Sequence, residues 1–258
     1  MTNPGRRKQA VAGSPIEWFT TPLGLLTLSK TREALTDSVR AIPGQELMTL
    51  GVPLPGDWLE GCLLRARYLG VESREDASRC GEQVDARTAV FVADSGMLPF
   101  PADSMNAVVI HHGLDTTERP HGMVREVARV LSPGGHLIIA GFNPWSLWGM
   151  RRLLTRRGSF PWSGNFIAPH RLTDWLRLLG FTLDDVSYFL LRPPIADVGF
   201  WDRPWCRSVR SRMELPLGGV YIARARKQAV IMRPVRERRR VLRPAVIAMP
   251  MPKPTARQ

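Results

Sequence analysis

The sequence has few cysteines, no long apolar run and no recognisable leader. Its three cysteines, Cys62, Cys80 and Cys206, are widely spaced and form no Cys-x-x-Cys pair, which argues against a disulfide framework and against a zinc site. Apolar runs such as residues 137–140 fall far short of the roughly 18 residues that a membrane-spanning helix needs. No apolar stretch follows the first basic residues, so we expect no secretory signal peptide. We therefore expect a cytoplasmic protein with reduced thiols.

Acidic residues are also scarce, and the imbalance is concentrated at one end. Hydrophobic residues make up 44% and charged residues 23% of the 258 residues, which suits one large globular domain or two small ones. The net charge is +13. From Arg224 onward, eleven lysines and arginines accompany a single acid, Glu237. This shift in composition marks a boundary near the last strand of the body.

Residues 228–258 combine most of these cations with five prolines, so we predict a disordered basic tail. Its arginines could contact the phosphates of nucleic acid or of an anionic lipid surface. No aromatic residues interleave with them to stack bases, which predicts a weak polyanion contact at most. The alternative is a tail that only improves solubility.

Short apolar runs alternate with segments of helical period through residues 46–227, which predicts parallel strands joined by helices. Helices are predicted after Pro120 and over Leu172–Leu179. The predicted strands are Leu47–Leu50, Arg67–Val71, Ala89–Ala93, Ala107–His111, His136–Phe142, Thr182–Leu191 and Val220–Ala225.

Two segments flank or interrupt this domain. Residues 1–45 contain Trp18 and Phe19 followed by several leucines, and we predict that they form a cap packed against the domain. Residues 193–217 contain Trp201 and Trp205 and form a long insertion before the last strand. Such an insertion is either a functional lid or a disordered loop.

Two motifs resemble a known family. Residues 94–109 contain an acid, a Leu-Pro-Phe turn and a strand, and residues 125–139 contain a helix, a Pro-Gly-Gly turn and a strand. In this order they resemble the type-11 class I S-adenosylmethionine-dependent methyltransferases over about residues 46–227. The resemblance implies an α/β, Rossmann-like three-layer sandwich whose mostly parallel seven-stranded sheet has an antiparallel last strand. It also implies S-adenosyl-L-methionine as the cofactor and a small-molecule acceptor.

The resemblance further implies a cofactor site beyond the carboxyl ends of the first three strands. Gly51 matches the first glycine of the family's loop, and Glu72 matches the acid that binds the ribose hydroxyls. Asp94, followed by Ser95, matches the acid that accepts from the adenine amino group. Glu72 lies 21 residues after Gly51, near the usual spacing of about 20. The alternatives are a solvated Glu72 and an Asp94 that caps a turn or a helix.

The glycine loop itself departs from the family pattern. Thr49 stands where the family has an acid, and Pro53 and Pro55 stand where the next two glycines would be. Proline fixes its own torsion and has no amide donor, so the usual loop geometry cannot form. We therefore expect weakened cofactor binding.

On the acceptor side, His111 and His112 end the fourth strand and are the candidate general bases. The alternative is two histidines with a purely structural role. Trp145 and Trp148 leave the fifth strand near the same edge, where they either roof an apolar acceptor or pack into the core. Arginines 151, 152, 156 and 157 would then meet an anion or a lipid headgroup.

Two functions from different classes remain open. The first is a methyltransferase acting on an unidentified small molecule, favoured by Glu72 and Asp94. The second is a methyltransferase-like binding or adaptor protein without turnover, favoured by Pro53 and Pro55.

Overall fold

The computed structural model describes residues 14–56, 58–81, 87–94, 96–155, 159–191, 193–194 and 217–229. The predicted cap begins before this range. Most of the 193–217 insertion and all of the tail after Ala229 lie outside the described residues.

Seven strands form one sheet in the order β3-β2-β1-β4-β5-β7-β6. The five strands from β3 to β5 are parallel, and β7 is antiparallel to both of its neighbours. The predicted fold, a mostly parallel seven-stranded sheet with an antiparallel last strand, is confirmed. The strands are β1 Glu46–Gly51, β2 Ala66–Val71, β3 Thr88–Val92, β4 Met105–His111, β5 Leu131–Phe142, β6 Phe181–Phe189 and β7 Val220–Lys227.

The helices begin at prolines or capped turns. Prolines stand at the first turn of four of them, where the missing amide costs no hydrogen bond. The helices are α1 Pro15–Trp18, α2 Pro22–Arg40, α3 Arg74–Gly81, α4 Gly113–Thr116, α5 Pro120–Val130, α6 Leu147–Leu154 and α7 Pro169–Leu178.

One strand boundary differs from the sequence prediction. β5 begins at Leu131, directly after α5, rather than at His136. Leu131 pairs with Met105, and the register then shifts before His136 pairs with Ala107. The Ser-Pro-Gly-Gly segment is thus an irregularity between paired residues, with Gly134 at a positive φ of 79°.

The sheet separates two apolar cores, which makes the molecule three-layered. Along β4, Val109 faces the core that contains α2 and Trp148, whereas Val108 and Ile110 face the core built from α5 and α7. This alternation follows from the two-residue period of a strand buried on both faces. Among the helices of the described residues, none is long and apolar enough to cross a membrane.

Candidate functional site

A cleft with a volume of about 210 Å³ opens at the carboxyl edge of the sheet. Its walls come from the ends of β1, β2 and β3, from the start of α3 and from α1, which lies across it. The lining residues used below are Ile16, Gly51, Val52, Gly70, Glu72 and Asp76.

Two glycines form the part of the cleft that tolerates no side chain. Gly51 has a φ of 96°, and a Cβ atom there would lie 2.5 Å from the carbonyl oxygen of His111. A Cβ atom on Gly70 would lie 2.6 Å from Leu50 and 2.7 Å from the ring of Phe91. The space that a side chain would need at these positions is occupied by the protein's own atoms, and both glycines line the cleft.

The loop after Gly51 turns away from the cleft into the core. The amide of Val52 donates to the carbonyl oxygen of His111 at 2.8 Å, and Pro53 has no amide hydrogen. Leu54 is buried in the core that contains α2. Neither Val52 nor Pro53 can therefore donate a backbone hydrogen bond to a ligand in the cleft, as the sequence departure predicted.

Glu72 follows β2 directly, is exposed and lines the cleft. Asp76 lines it as well, which the sequence reasoning missed. The Ser73 hydroxyl accepts from the amide of Asp76 at 3.0 Å and donates to its carboxylate at 2.7 Å. This reciprocal cap at the start of α3 holds Asp76 at the rim, and the Ser-x-x-Asp spacing was the signal that could have found it.

The third predicted element of the cofactor site has a different arrangement. Asp94 is exposed, and its Oδ1 accepts from the amide of Gly96 at 2.9 Å. Its neighbour Ala93 lines the cleft instead. The carboxylate of Asp94 thus stabilises its own turn, which was the alternative interpretation. Ser95 lies outside the described residues.

His111 and His112 are fully buried, and neither ring lines the cleft. His111 Nδ1 lies 2.6 Å from the carbonyl oxygen of Val52. A carbonyl only accepts, so Nδ1 carries the proton and Nε2 keeps its lone pair. His112 Nδ1 lies 2.7 Å from Asp115 Oδ2, which also accepts from the amide of Phe142. Nε2 of each ring has no hydrogen-bond partner.

Burial makes this cluster electrically neutral. It lowers the pKa of His111 to about 3, with the neighbouring His112 ring acting in the same direction, and it lowers the pKa of His112 to about 3. Burial also raises the pKa of Asp115 well above its usual range. The expected general bases are therefore weaker bases than histidine in water, because charging them without solvent is costly.

A family model described as a methyltransferase domain matches residues 55–139. That range runs from the end of the glycine loop through β2, β3 and β4 into β5, and so includes most of the cleft walls. Residues 55–139 thus match a methyltransferase domain, and the sheet has the class I methyltransferase fold. The cofactor of such domains is S-adenosyl-L-methionine.

Two curated proteins are similar in sequence to part of this chain. The uncharacterized protein YafS of Escherichia coli K12 is 33% identical over 136 residues, which cover 51% of this chain and 57% of that protein. A demethylmenaquinone methyltransferase of Clavibacter sepedonicus is 29% identical over 115 residues, which cover 43% of this chain and 47% of that enzyme. The chain thus spans about half the length of the curated relatives it matches.

Among solved structures, a Thermotoga maritima SAM-dependent methyltransferase, described as a possible histamine N-methyltransferase, superposes with a TM-score of 0.59. It is 16% identical, and the alignment covers 79% of this chain and 92% of that one. At this identity the likeness shows the shared fold alone.

An aromatic cluster fills the acceptor side of the methyltransferase domain. Trp148 is fully buried, stacks on Phe142 at 5.5 Å between ring centroids and meets Trp18 of α1 at 6.2 Å. Phe19 packs against His112 at 5.4 Å. Trp148 is therefore a core residue rather than part of a roof, whereas Trp145 is 66% exposed. Both tryptophans follow β5 closely, so sequence position alone could not separate them.

Proposed function

We propose that this chain is an S-adenosylmethionine-dependent methyltransferase that methylates a small-molecule acceptor in the cytoplasm. The observation that carries the proposal is the glycine-floored cleft at the carboxyl edge of the sheet, inside a methyltransferase domain. In open α/β sheets this edge is where ligands bind.

The residues of the cleft fit the cofactor in part. Gly51 and Gly70 present backbone to the cleft, and we propose that the carboxylate of Glu72, which lines it, accepts from the ribose hydroxyls. We retain Asp94 and Ser95 as the adenine end of the site. The amides of the glycine loop fit less well, because Val52 donates within the protein and Pro53 has no hydrogen to donate. We therefore expect affinity below that of a loop with three glycines.

When bound, the cofactor supplies a methyl group that is already activated by its sulfonium. The protein's contribution is then mainly to orient the acceptor and exclude water, which can supply about 7–11 kcal/mol. We propose that His111 and His112 stabilise the acceptor side from within the core, because both rings are fully buried and neither lines the cleft. Their lowered pKa values make them unsuited to removing a proton from an acceptor. His112, fixed by Asp115, would hold the neighbouring ring in place.

The acceptor we favour has an apolar body. Around the two histidines the described residues are largely aromatic, including Phe19, Phe142 and Trp148. The demethylmenaquinone methyltransferases among the relatives carry the name of a quinone substrate. An aromatic or isoprenoid-bearing alcohol would suit such surroundings.

The test is calorimetric titration with S-adenosylmethionine and with its demethylated product. Removing the charge of Glu72 in E72Q should weaken product binding by about 1–3 kcal/mol, the usual cost of losing a charged partner. E75Q is the matched control, because Glu75 lies on α3, is exposed and does not line the cleft. Equal affinity in both variants would place the ribose elsewhere, and no binding at millimolar ligand would remove the enzyme proposal.

A second function is favoured by one specific observation. The glycine loop is packed into the core at Leu54 and offers no free amide at Val52. A methyltransferase-like binding protein without turnover would have this feature. Product binding without any methyl transfer to a panel of quinols and phenols would favour it.

The basic tail adds a proposed partner. We propose that residues 228–258 form a separate segment that makes weak, salt-dependent contacts with polyanions. Its arginines and prolines support this, and no aromatic residues accompany them for base stacking. Removing the segment should leave the melting temperature nearly unchanged while flattening the salt dependence of anion binding.

A further inference from the structure

The outer face of α6 is the largest cluster of exposed apolar side chains on a single element of the described residues. Leu147, Met150 and Leu154 recur at helical spacing, with Leu153 beside them. Their exposed fractions run from 46% for Leu147 to 84% for Leu154, and Trp145 just before the helix is 66% exposed. Isolated exposed leucines are ordinary, but a contiguous group on one helix marks an interaction surface. We call these five residues the α6 face.

The α6 face is held outward by the contacts beneath it. Trp148, on the opposite side of α6, is fully buried in the aromatic cluster. Ser146 caps the helix by accepting from the amides of Trp148 and Gly149. Asn143 Oδ1 accepts from the amide of Trp145 at 3.0 Å and fixes the turn before the helix. The helix therefore cannot rotate its leucines inward without losing a buried tryptophan.

The charge on α6 and on the chain that flanks it in sequence is positive. No acidic residue occurs between Glu126 and Asp174 in the sequence. Arg151 is exposed on α6 itself, and His170 and Arg171 are exposed on α7, where His170 lies 6.5 Å from Trp145 between ring centroids. Arg156 and Arg157 follow α6 in the sequence.

We propose that the α6 face docks the protein on an anionic lipid bilayer. A helix with tryptophan and leucine on one side, arginine beside them and no acid within it has the chemistry of an interfacial membrane helix. The positive surround is complementary to anionic headgroups. It also disfavours a second copy of this chain, since a twofold contact would bring two positive surfaces together.

The position of α6 would bring a docked bilayer close to the cleft. The helix leaves β5 at the carboxyl edge of the sheet, the edge where the cleft opens. Trp148 of α6 touches Trp18 of α1, and Ile16 of α1 lines the cleft. A bilayer on the α6 face would therefore lie beside the site. Lipid binding itself needs neither cofactor nor turnover, so the inference can succeed or fail independently of the proposed function.

The experiment is co-sedimentation of the full chain with vesicles of phosphatidylglycerol and phosphatidylcholine. The triple variant L147S/M150S/L154S should bind at least tenfold more weakly and retain its melting temperature, because the three side chains are exposed. L178S is the matched control, since Leu178 on α7 is 86% exposed against 84% for Leu154. It should bind like the unaltered protein. Equal binding by the triple variant would overturn the proposal.

Further measurements test two alternatives, binding of lipid through the basic tail and binding of a second copy of this chain to the α6 face. Vesicle binding should persist in part at about 0.5 M salt, where a contact through the tail alone would be screened; complete loss would overturn the proposal in favour of the tail. Tryptophan emission should shift to shorter wavelength with vesicles, and W145F should reduce that shift. Without lipid, sedimentation of the unaltered protein as a dimer that the triple variant converts to monomer would assign the α6 face to a second copy instead.

Discussion

The two sides of the carboxyl edge of the sheet differ in how much open space they contain. On the cofactor side, β1, β2 and α3 surround open space, the glycines carry no side chain and Glu72 is exposed. On the acceptor side, the ends of β4 and β5 are closed by stacked rings, and His111, His112 and Asp115 are almost completely buried. One side leaves a cleft open to a ligand, whereas the other is filled by this chain's own side chains.

This difference bears on selectivity. A site with exposed carboxylates and bare backbone suits a ligand common to many enzymes of one fold. The other side is filled by aromatic rings and holds three buried polar atoms without a hydrogen-bond partner, His111 Nε2, His112 Nε2 and Asp115 Oδ1. Because these atoms are buried, a ligand reaches them only if the surrounding rings move, so the packing of those rings would decide which acceptors bind.

The largest effect is expected from a matched pair of tryptophans. W148A removes a fully buried ring from the acceptor side and should lower the free energy of unfolding by about 3–5 kcal/mol. W145A removes a mostly exposed ring three residues earlier in the chain and should change the free energy of unfolding by less than about 0.5 kcal/mol. Urea unfolding measures both. Similar losses in the two variants would contradict the separation of core and surface described here.

The next effect tests the floor of the cofactor side. G51A places a Cβ atom 2.5 Å from a backbone oxygen at a positive φ, so strain and overpacking together should cost about 2–4 kcal/mol and reduce product binding. G61A is the control, because Gly61 has a φ of 78° but nothing within 4 Å of its Cβ position. It should show the smaller strain cost alone. If the two alanines cost the same, crowding at the cleft floor is not significant.

The smallest effect is a pH dependence confined to the acceptor side. Burial lowers the pKa of His111 and of His112 to about 3, whereas unfolded histidine has a pKa of about 6.5. Between these values the unfolded chain binds more protons, so stability falls as the pH is lowered below about 6.5. Asp115 acts in the opposite direction, because its raised pKa lets the folded state keep a proton that the unfolded chain releases.

Two histidines against one carboxyl leave a net loss of about 1 kcal/mol per pH unit between about pH 6 and 5. D115N removes the opposing contribution and should make this slope about twice as steep. Urea unfolding at pH 7, 6 and 5 gives both slopes. If the free energy of unfolding has the same slope against pH in D115N and in the unaltered protein, Asp115 is ionised in the folded state.

The sequence predicted the cofactor side better than the acceptor side, for a physical reason. Gly51 and Glu72 end strands whose apolar runs are visible, and the edge of a parallel sheet gathers such ends without further information. The seven strands were found in the same way. The prolines also indicated that the loop after Gly51 would not cradle a ligand.

On the acceptor side the decisive facts are contacts between distant segments. Nothing near His111 in the sequence shows that the carbonyl of Val52 accepts a hydrogen bond from its Nδ1, or that the ring of Phe19 packs against the imidazole. Trp145 and Trp148 have similar neighbours, yet only one is buried. Such outcomes depend on how α1 and α6 pack together, which no local pattern encodes.

The paired hydrogen bonds between Val52 and His111 have a consequence for how ligands come and go. The amide of Val52 donates to the carbonyl of His111, and the ring of His111 donates back to the carbonyl of Val52. The end of β1 cannot swing outward unless it also pulls the end of β4 from the aromatic core. The wall of the cleft formed by β1 is therefore fixed, whereas the wall at Ile16 belongs to α1, a single helical turn that pairs with α3 through the exposed Glu17 and Arg79. An exposed ion pair contributes little to stability, so we expect a ligand to be accommodated more readily by movement of α1 than by movement of the end of β1.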